Sequence, residues 1–299
     1  MIKICVLSDI AEVADFMYWA NNRSEQYSGF CSTNRQIIQS DLEHGLKSQT
    51  DLIVASCEAG AIDGVMTAHI DSAVQSADCC GPFVKDYDLK QAEVLFEAML
   101  TYLPRPMALQ FFFSEQNNLC LELMKKKGAK NQGREMIMNL SLERCHENPY
   151  HYGLDEVKPL SKAQNDSFIS LHDHIFPESY VSGKDVVFSI GKSRSVYVIE
   201  NEGIIRGYGV LRYTTKAKTV AAEIIAVRQE DRGKSYGKKI LSKMLSEAFE
   251  RDTVTAVELV VEAGNTAAIG LYTKMGFDVK MVNCGYVYQM SDISNRSDM

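Results

Sequence analysis

The sequence has no apolar run near the roughly 18–20 residues that a membrane-spanning helix needs. Its first residues, Met1-Ile2-Lys3-Ile4-Cys5-Val6-Leu7-Ser8-Asp9, have no long apolar stretch and meet an acid at once, so no secretion signal is read. None of the eight cysteines has C-x-x-C spacing, and neither they nor the six histidines are spaced as metal ligands. That excludes a zinc motif. Without a secretion signal the thiols read as reduced, which places the chain in the cytoplasm. An excess of base is missing too: 32 Lys and Arg face 39 Asp and Glu, a formal net charge of −7. A nucleic-acid footprint needs clustered positive charge, so none is expected, and neither is a membrane partner.

What is present is ordinary for a folded protein: 45% hydrophobic and 24% charged residues. A length of 299 residues predicts two domains. The charge is uneven. Residues 1–149 hold 13 bases and 20 acids, while residues 150–299 hold 19 of each. An acidic half suits a cationic substrate, and solubility alone also explains it. The break between domains is read at Cys145–Gly153, which is polar and carries Pro149 and Gly153. Domains are therefore expected at 1–145 and 150–290, with a polar tail at 291–299.

Strands and helices alternate, which predicts an α/β class with a mixed sheet. In the second half, apolar spacing gives a helix over 161–175, strands over 195–200, 204–213 and 219–227, and a helix over about 236–251 with Ile240, Met244, Leu245 and Phe249 inward. A strand over 257–261, a helix over 266–275 ended by Gly276, and a strand pair at 279–281 and 286–290 follow. Gly183–Ile190 fits either a helix or a strand. The first half shows strands at 51–56, 64–70, 108–113 and 136–142, and helices at 90–103 and 118–127. The pattern Asn265-x-x-Ala268-x-x-Leu271-Tyr272-x-Lys274-x-Gly276-Phe277 follows Asn117-x-x-Cys120-x-x-Leu123-Met124-x-Lys126-x-Gly128-Ala129 by 148 residues. Asn, Leu, Lys and Gly recur in register, the mark of a duplication.

Two segments carry chemistry. In Ile224–Leu241 a strand runs into a loop with Gly233 and Gly237, then into an amphipathic helix. Free N–H groups at a helix start suit a phosphate, and Arg232, Lys234, Lys238 and Lys239 add positive charge. The plainer reading is a strand–helix turn with a solvated basic face. The second segment is Asn265–Phe277, where Asn265 alone is an N-cap and Tyr272 alone a packing residue.

Together, in this order and about 30 residues apart, these segments resemble the GNAT (GCN5-related) N-acetyltransferases. The family loop [Gln/Arg]-x-x-Gly-x-[Gly/Ala] is matched by Arg232-Gly233-Lys234-Ser235-Tyr236-Gly237, with Ser235 where a central glycine is usual. The pattern from Asn265 to Phe277 matches throughout. The resemblance implies two tandem GNAT-like acyl-CoA N-acyltransferase domains, with acetyl-CoA as cosubstrate and a small-molecule or amino-terminal amine as acceptor. It implies that Ile225, Ala226 and Val227 pair with the pantetheine arm, and that the Val227 N–H is the oxyanion donor. It places Arg232, Gly233, Lys234, Ser235, Tyr236, Gly237 and Lys238 under the diphosphate and Asn265 and Ala268 beside the arm, and it makes Tyr272 the acid for the thiolate.

Glu223 is the expected base, four residues before Val227 and on the same strand face by alternation. Glu262 is a rival, and His172 and His174 lie near the acceptor region. The first copy has no such loop before its helix: Cys80–Leu89 holds one glycine and acids, and Met124 stands for Tyr272. It is therefore expected not to bind acetyl-CoA, and instead to shape the cleft or an interface. The rival functional reading is a non-catalytic acyl-CoA sensor or scaffold. A nucleotide-binding loop is disfavoured because G-x-x-x-x-G-K-[ST] is absent. An oligomer is compatible with the sequence.

Overall fold

The structure, a computed structural model, describes residues 1–147, 153–177, 179–213 and 218–291. The sequence break proposed near 145–153 lies partly outside them, as does the tail beyond Ser291. In chain order the elements are β1 (Ile2–Ile4), α1 (Ile10–Asn21), α2 (Arg35–Ser48), β2 (Asp51–Glu58), β3 (Ala61–Asp71), β4 (Ser76–Val84), α3 (Leu89–Tyr102), β5 (Met107–Ser114), α4 (Asn118–Lys126), β6 (Lys130–Ser141) and α5 (Leu142–Glu147). There follow β7 (Val157–Pro159), α6 (Asn165–Ile175), α7 (Gly183–Ser189), β8 (Arg194–Asn201), β9 (Ile204–Tyr213), β10 (Thr219–Val227), α8 (Tyr236–Phe249), β11 (Ala256–Glu262), α9 (Thr266–Lys274) and β12 (Asp278–Met290).

Gly183–Ile190, open between two readings in the sequence, is the helix α7, capped by the Ser182 side chain on the Asp185 N–H. The expected strand pair after Gly276 is one thirteen-residue strand, β12. Asn283-Cys284-Gly285 reads as a break but stays in the ladder, Gly285 opposite Phe112. The sequence reading also passed over β4, because Gly81 and Pro82 punctuate it. They fall at a bulge, where the pairing jumps from Thr67–Cys80 to Val65–Phe83 and a missing N–H interrupts nothing.

The chain divides into two compact units: Met1–Glu135 with the segment beginning at Met281, and Met136–Lys280. These bounds differ from the expected 1–145 and 150–290. Each unit takes its last strand from the other half of the sequence. β12 pairs antiparallel with β5, from Asn283 opposite Ser114 to Met290 opposite Met107, and adds Cys284 and Met290 to the first unit's core. Met138 and Leu140 of β6 enter the second unit's core. Duplicated halves explain the exchange, since an edge built for one copy's last strand also fits the other's.

Within each unit helices cover both faces of the sheet. In the second unit α8 and α9 pack on one face around Ile240, Met244, Leu245 and Tyr272. α6 and α7 pack on the other around Phe168, Val186 and Tyr208. Two glycines of β9 bring α8 down onto the sheet. A Cβ at Gly209 would lie 2.3 Å from the Met244 sulfur, and one at Gly207 would lie 3.0 Å from the Ile240 Cδ1. Fully burying each such aliphatic side chain contributes about 1.5–3 kcal/mol.

The duplication shows in the spacing of the elements. β2, β3 and β4 recur as β8, β9 and β10 at an offset of 143 residues. β5, α4 and β6 recur as β11, α9 and β12 at 148 in their starts or ends. Four of the five extra residues fall in one place. The link from β4 to α3 is residues 85–88, whereas the link from β10 to α8 is residues 228–235.

Candidate active site

β10 and β11 run parallel and pair only at Thr219–Ala256, Val220–Val257 and Ala221–Glu258. Beyond that point β10 continues to Val227 and β11 to Glu262 without pairing, so the two edges open between them. The other edge of β10 remains on β9 through Val227, opposite Gly207. The Arg228 N–H donates to the Arg206 carbonyl at 2.9 Å. Antiparallel alternation then turns the N–H groups of Ile225 and Val227 away from β9, into the opening. Among the described residues no side chain accepts the Val227 N–H.

After Arg228 a short 3-10 turn, Gln229–Asp231, leads into the glycine-containing loop. Asp231 is buried and anchors the turn: its carboxylate takes the Lys234 ammonium at 2.7 Å and lies 3.5 Å from Arg206. The Lys234 hydrogen bond, with the Lys234 and Arg206 charges, holds the Asp231 carboxyl below its usual range against the cost of burial. Lys234 is thus matched within the loop, and Lys239 is paired with Glu156 at 2.6 Å. Arg232 is exposed and forms no ion pair among the described residues. Gly233 adopts φ 81° with open space around it. Ser235 is the N-cap of α8 at φ 63°, ψ 12°. A glycine there would bear the left-handed backbone without steric cost, whereas serine is strained by about 1–2 kcal/mol. Gly237 lies in the first turn of α8, its Cβ position 3.4 Å from Leu271 and 3.9 Å from Val227. The start of α8, the end of β10 and α9 therefore meet. Tyr236 is half-buried there, and Lys238, also half-buried, has its carbonyl bonded to the Ser242 hydroxyl.

Asn265 caps α9, its side-chain oxygen accepting the Ala268 N–H at 3.1 Å. That cap contributes about 1 kcal/mol. It occupies the Ala268 donor, leaving Ala268 to pack by its methyl and Asn265 with its amide N–H₂. Tyr272 is buried in the same apolar cluster that Ile225 and Val227 pack against, 6.0 Å from the Phe277 ring. Burial pushes its phenol up, so it stays protonated at neutral pH.

Glu223 departs from expectation. The register slips between Ala222–Leu211 and Ile224–Val210, which makes Glu223 the extra residue of a β-bulge. The bulge breaks the period-2 alternation on which its shared face with Val227 rested. Ala222, Ile225 and Val227 face α8 and α9, while Ile224 and Ala226 face α6 and α7. The Glu223 carboxylate, 3% exposed, receives Arg194 Nε at 2.6 Å and Arg212 Nε at 2.8 Å. The Tyr180 hydroxyl donates to it as well. Burial pushes this carboxyl up, but the hydrogen bonds from Arg194 and Tyr180 and the two guanidinium charges outweigh it and hold it below the usual value. The sequence reading missed Arg194 and Arg212, which the pairing of β8, β9 and β10 brings to Glu223, and Tyr180, which reaches it from the link between α6 and α7. His172 is buried, with Nδ1 2.9 Å from the Tyr208 hydroxyl and Nε2 3.0 Å from the Val181 carbonyl. Both ring nitrogens serve packing. His174 and Glu262 are exposed.

The equivalent place in the first unit is filled. β4 and β5 pair at Ser76–Ala108 through Cys79–Phe111 and then open in the same way. The Lys85 N–H donates to the Asp63 carbonyl at 2.9 Å, matching Arg228 and Arg206. The N–H of Val84, counterpart of Val227, donates to the buried Gln26 side-chain oxygen at 2.8 Å. Pro82 stands where Ile225 stands and has no N–H. The chain at 27–29 lies along the freed edge of β5: the Gly29 N–H donates to the Phe112 carbonyl at 2.6 Å, and the Ser114 N–H to the Tyr27 carbonyl at 3.1 Å.

The Acetyltransferase (GNAT) family profile matches residues 163–277. A protein of Pseudomonas phage PaMx11 described as a 5-NmdU N-acetyltransferase is 31% identical over 84 residues, 28% of this chain and 57% of that protein's length. A GCN5-related N-acetyltransferase of Sphaerobacter thermophilus is similar in fold, with a TM-score of 0.70 at 14% identity, covering 98% of this chain and 96% of that one. A tandem GNAT protein from the clavulanic acid biosynthesis pathway gives 0.62 at 14% identity, covering 98% and 99%. No described helix is long and apolar enough to cross a membrane. Residues 163–277 are thus similar to the acetyltransferase (GNAT) family, and the structures of similar fold cover nearly the whole chain.

Proposed function

We propose that the second unit is an acyltransferase that moves an acetyl group from acetyl-CoA to a primary amine. The observation that carries this reading is the opening between β10 and β11, where no described side chain accepts the Val227 N–H and which ends at the glycine loop and the start of α8. These residues fit an acyl-CoA. The free edge of Ile225, Ala226 and Val227 offers backbone bonds to an amide-bearing arm. Arg232 and the open backbone of 233–237 offer charge and N–H groups to a diphosphate. Asn265 offers its amide beside the arm.

Acetyl-CoA supplies the thioester whose acyl group is transferred. The Val227 N–H donates to the carbonyl oxygen on which charge develops, a contact typically worth roughly 10²–10³ in rate. Tyr272 donates the proton that the departing thiolate needs. The held-down basicity of Glu223 makes it a poor proton acceptor near neutrality. In this reading it positions Tyr180 and the two arginines, and the amine proton leaves to water.

Steady-state turnover and CoA binding of Tyr272→Phe test the assignment. The expected result is a fall of roughly 10²-fold or more in turnover, with CoA affinity kept. CoA binding without turnover on any amine of a broad panel in the unaltered protein would show a sensor instead.

A further inference from the structure

The first unit has a cavity of about 320 Å³ between α1, α2 and its sheet. Its floor is apolar, with Met17 and Leu42 among the lining residues, and its wall is polar. The constant offset of 143 residues shows what this wall replaces. Asp51, His69 and Cys80 stand where Arg194, Arg212 and Glu223 stand in the second unit. The charges are inverted: two guanidiniums around one carboxylate become a carboxylate, an imidazole and a thiol.

Asp51 pairs with His69 Nδ1 at 2.6 Å. Gly45 makes the room for it, since a Cβ there would lie 2.0 Å from the Asp51 carboxyl carbon. Two further carboxylates line the cavity, Asp41 and Asp78, and neither has an ion-pair or hydrogen-bond partner among the described residues. Partial burial pushes both carboxyls up, with Asp51 acting the same way on Asp41 and Asp71 on Asp78, while His44 beside Asp41 and His69 beside Asp78 pull against it. Cys80, 8% exposed, closes the wall. A concave site with an apolar floor and carboxylates at its wall is matched by a hydrocarbon body carrying one positive charge, and it repels an anion.

We propose that this cavity binds a small organic ammonium ion with an apolar body and does not transform it. Binding without chemistry follows from the neighbouring backbone. The Val84 N–H is occupied by Gln26, the link to α3 is four residues long, and Met124 has no proton to give.

Calorimetric titration of the full chain, with no acyl donor present, tests this with phenethylamine and pentylamine. 2-Phenylethanol serves as the neutral counterpart and phenylacetate as the anionic one. Both amines are expected to bind, the alcohol at least tenfold more weakly, and the carboxylate not measurably. The double variant Asp41→Asn/Asp78→Asn changes exposed side chains only and should weaken amine binding at least tenfold with the melting temperature kept. Asp51→Asn should do the same as a second, single-site probe. Equal affinity for the three phenyl compounds, no heat from either amine at millimolar concentration, or full amine binding by the double variant would each overturn the proposal. The readout does not involve acetyl transfer, so such a result would leave the reading of the second unit standing.

Discussion

The two units build the same opening between parallel strands, and they differ in what enters it. In the second unit the link between α6 and α7 is short, residues 176–182, and the link before α8 is long, residues 228–235. In the first unit the lengths are reversed, with residues 22–34 between α1 and α2 and only 85–88 before α3. The longer early link lets Gln26 reach the Val84 N–H and lays residues 27–29 on β5. The shorter later link removes the loop that would seat a diphosphate. A buried N–H has to find an acceptor. The first unit supplies its own, and in the second no described side chain takes that place.

The largest effect is expected from carrying Pro82 across. Ile225→Pro removes an N–H that faces the opening and makes no bond to β9, just as Pro82 lacks an N–H at the bulge of the first unit. CoA affinity and turnover should fall by roughly 10²-fold or more, with little change in melting temperature. Unchanged CoA affinity would show that the β10 edge does not hold the cosubstrate.

Next comes Glu223→Gln. Removing one member of a buried ion-pair cluster leaves Arg194 without its partner and should destabilise the protein by about 3 kcal/mol near neutrality. The Glu223 carboxyl is held lower folded than unfolded, so its contribution is present in full above the unfolded value near 4.3 and is lost as pH falls through the folded value. The stability gap to the unaltered protein should therefore close below about pH 4, as read by denaturant titration across pH. Acetyl transfer per folded molecule should keep its pH profile. A profile that loses its acidic limb would make Glu223 the base after all.

Gln26→Ala in the first unit should cost about 1–3 kcal/mol, since it strands the buried Val84 N–H. CoA should still bind at one site per chain. A second bound CoA would mean that the plug alone, and not the missing loop, silences this copy.

The smallest effect is expected from Ser235→Gly. Relief of the left-handed backbone, less the extra freedom of glycine in the unfolded chain, should stabilise by about 0.5–1 kcal/mol. A melting curve measures it, and a loss of stability would mean that the serine side chain holds the loop.

Much of the second unit was legible in the sequence because its signals are local. The cap at Asn265, the inward face of α8 and the stop at Gly276 each depend on residues within a turn or two, and the structure places them as read. β4 was not legible, because Gly81 and Pro82 speak against a strand unless a bulge is known. The face of Glu223 was misread for the same reason: alternation holds only where pairing is unbroken, and a bulge is a property of two strands together.

The sequence alone determined the repeat, the α/β class and the loop–helix pattern of the second half, since spacing along the chain carries that information. It could not decide which unit receives each last strand, that Arg194 and Arg212 close on Glu223, or that Gln26 fills the first copy's opening. Those outcomes join residues 29, 11 and 58 positions apart. They are settled by which edges find partners and which buried groups find counter-charges, and only the folded chain brings these together.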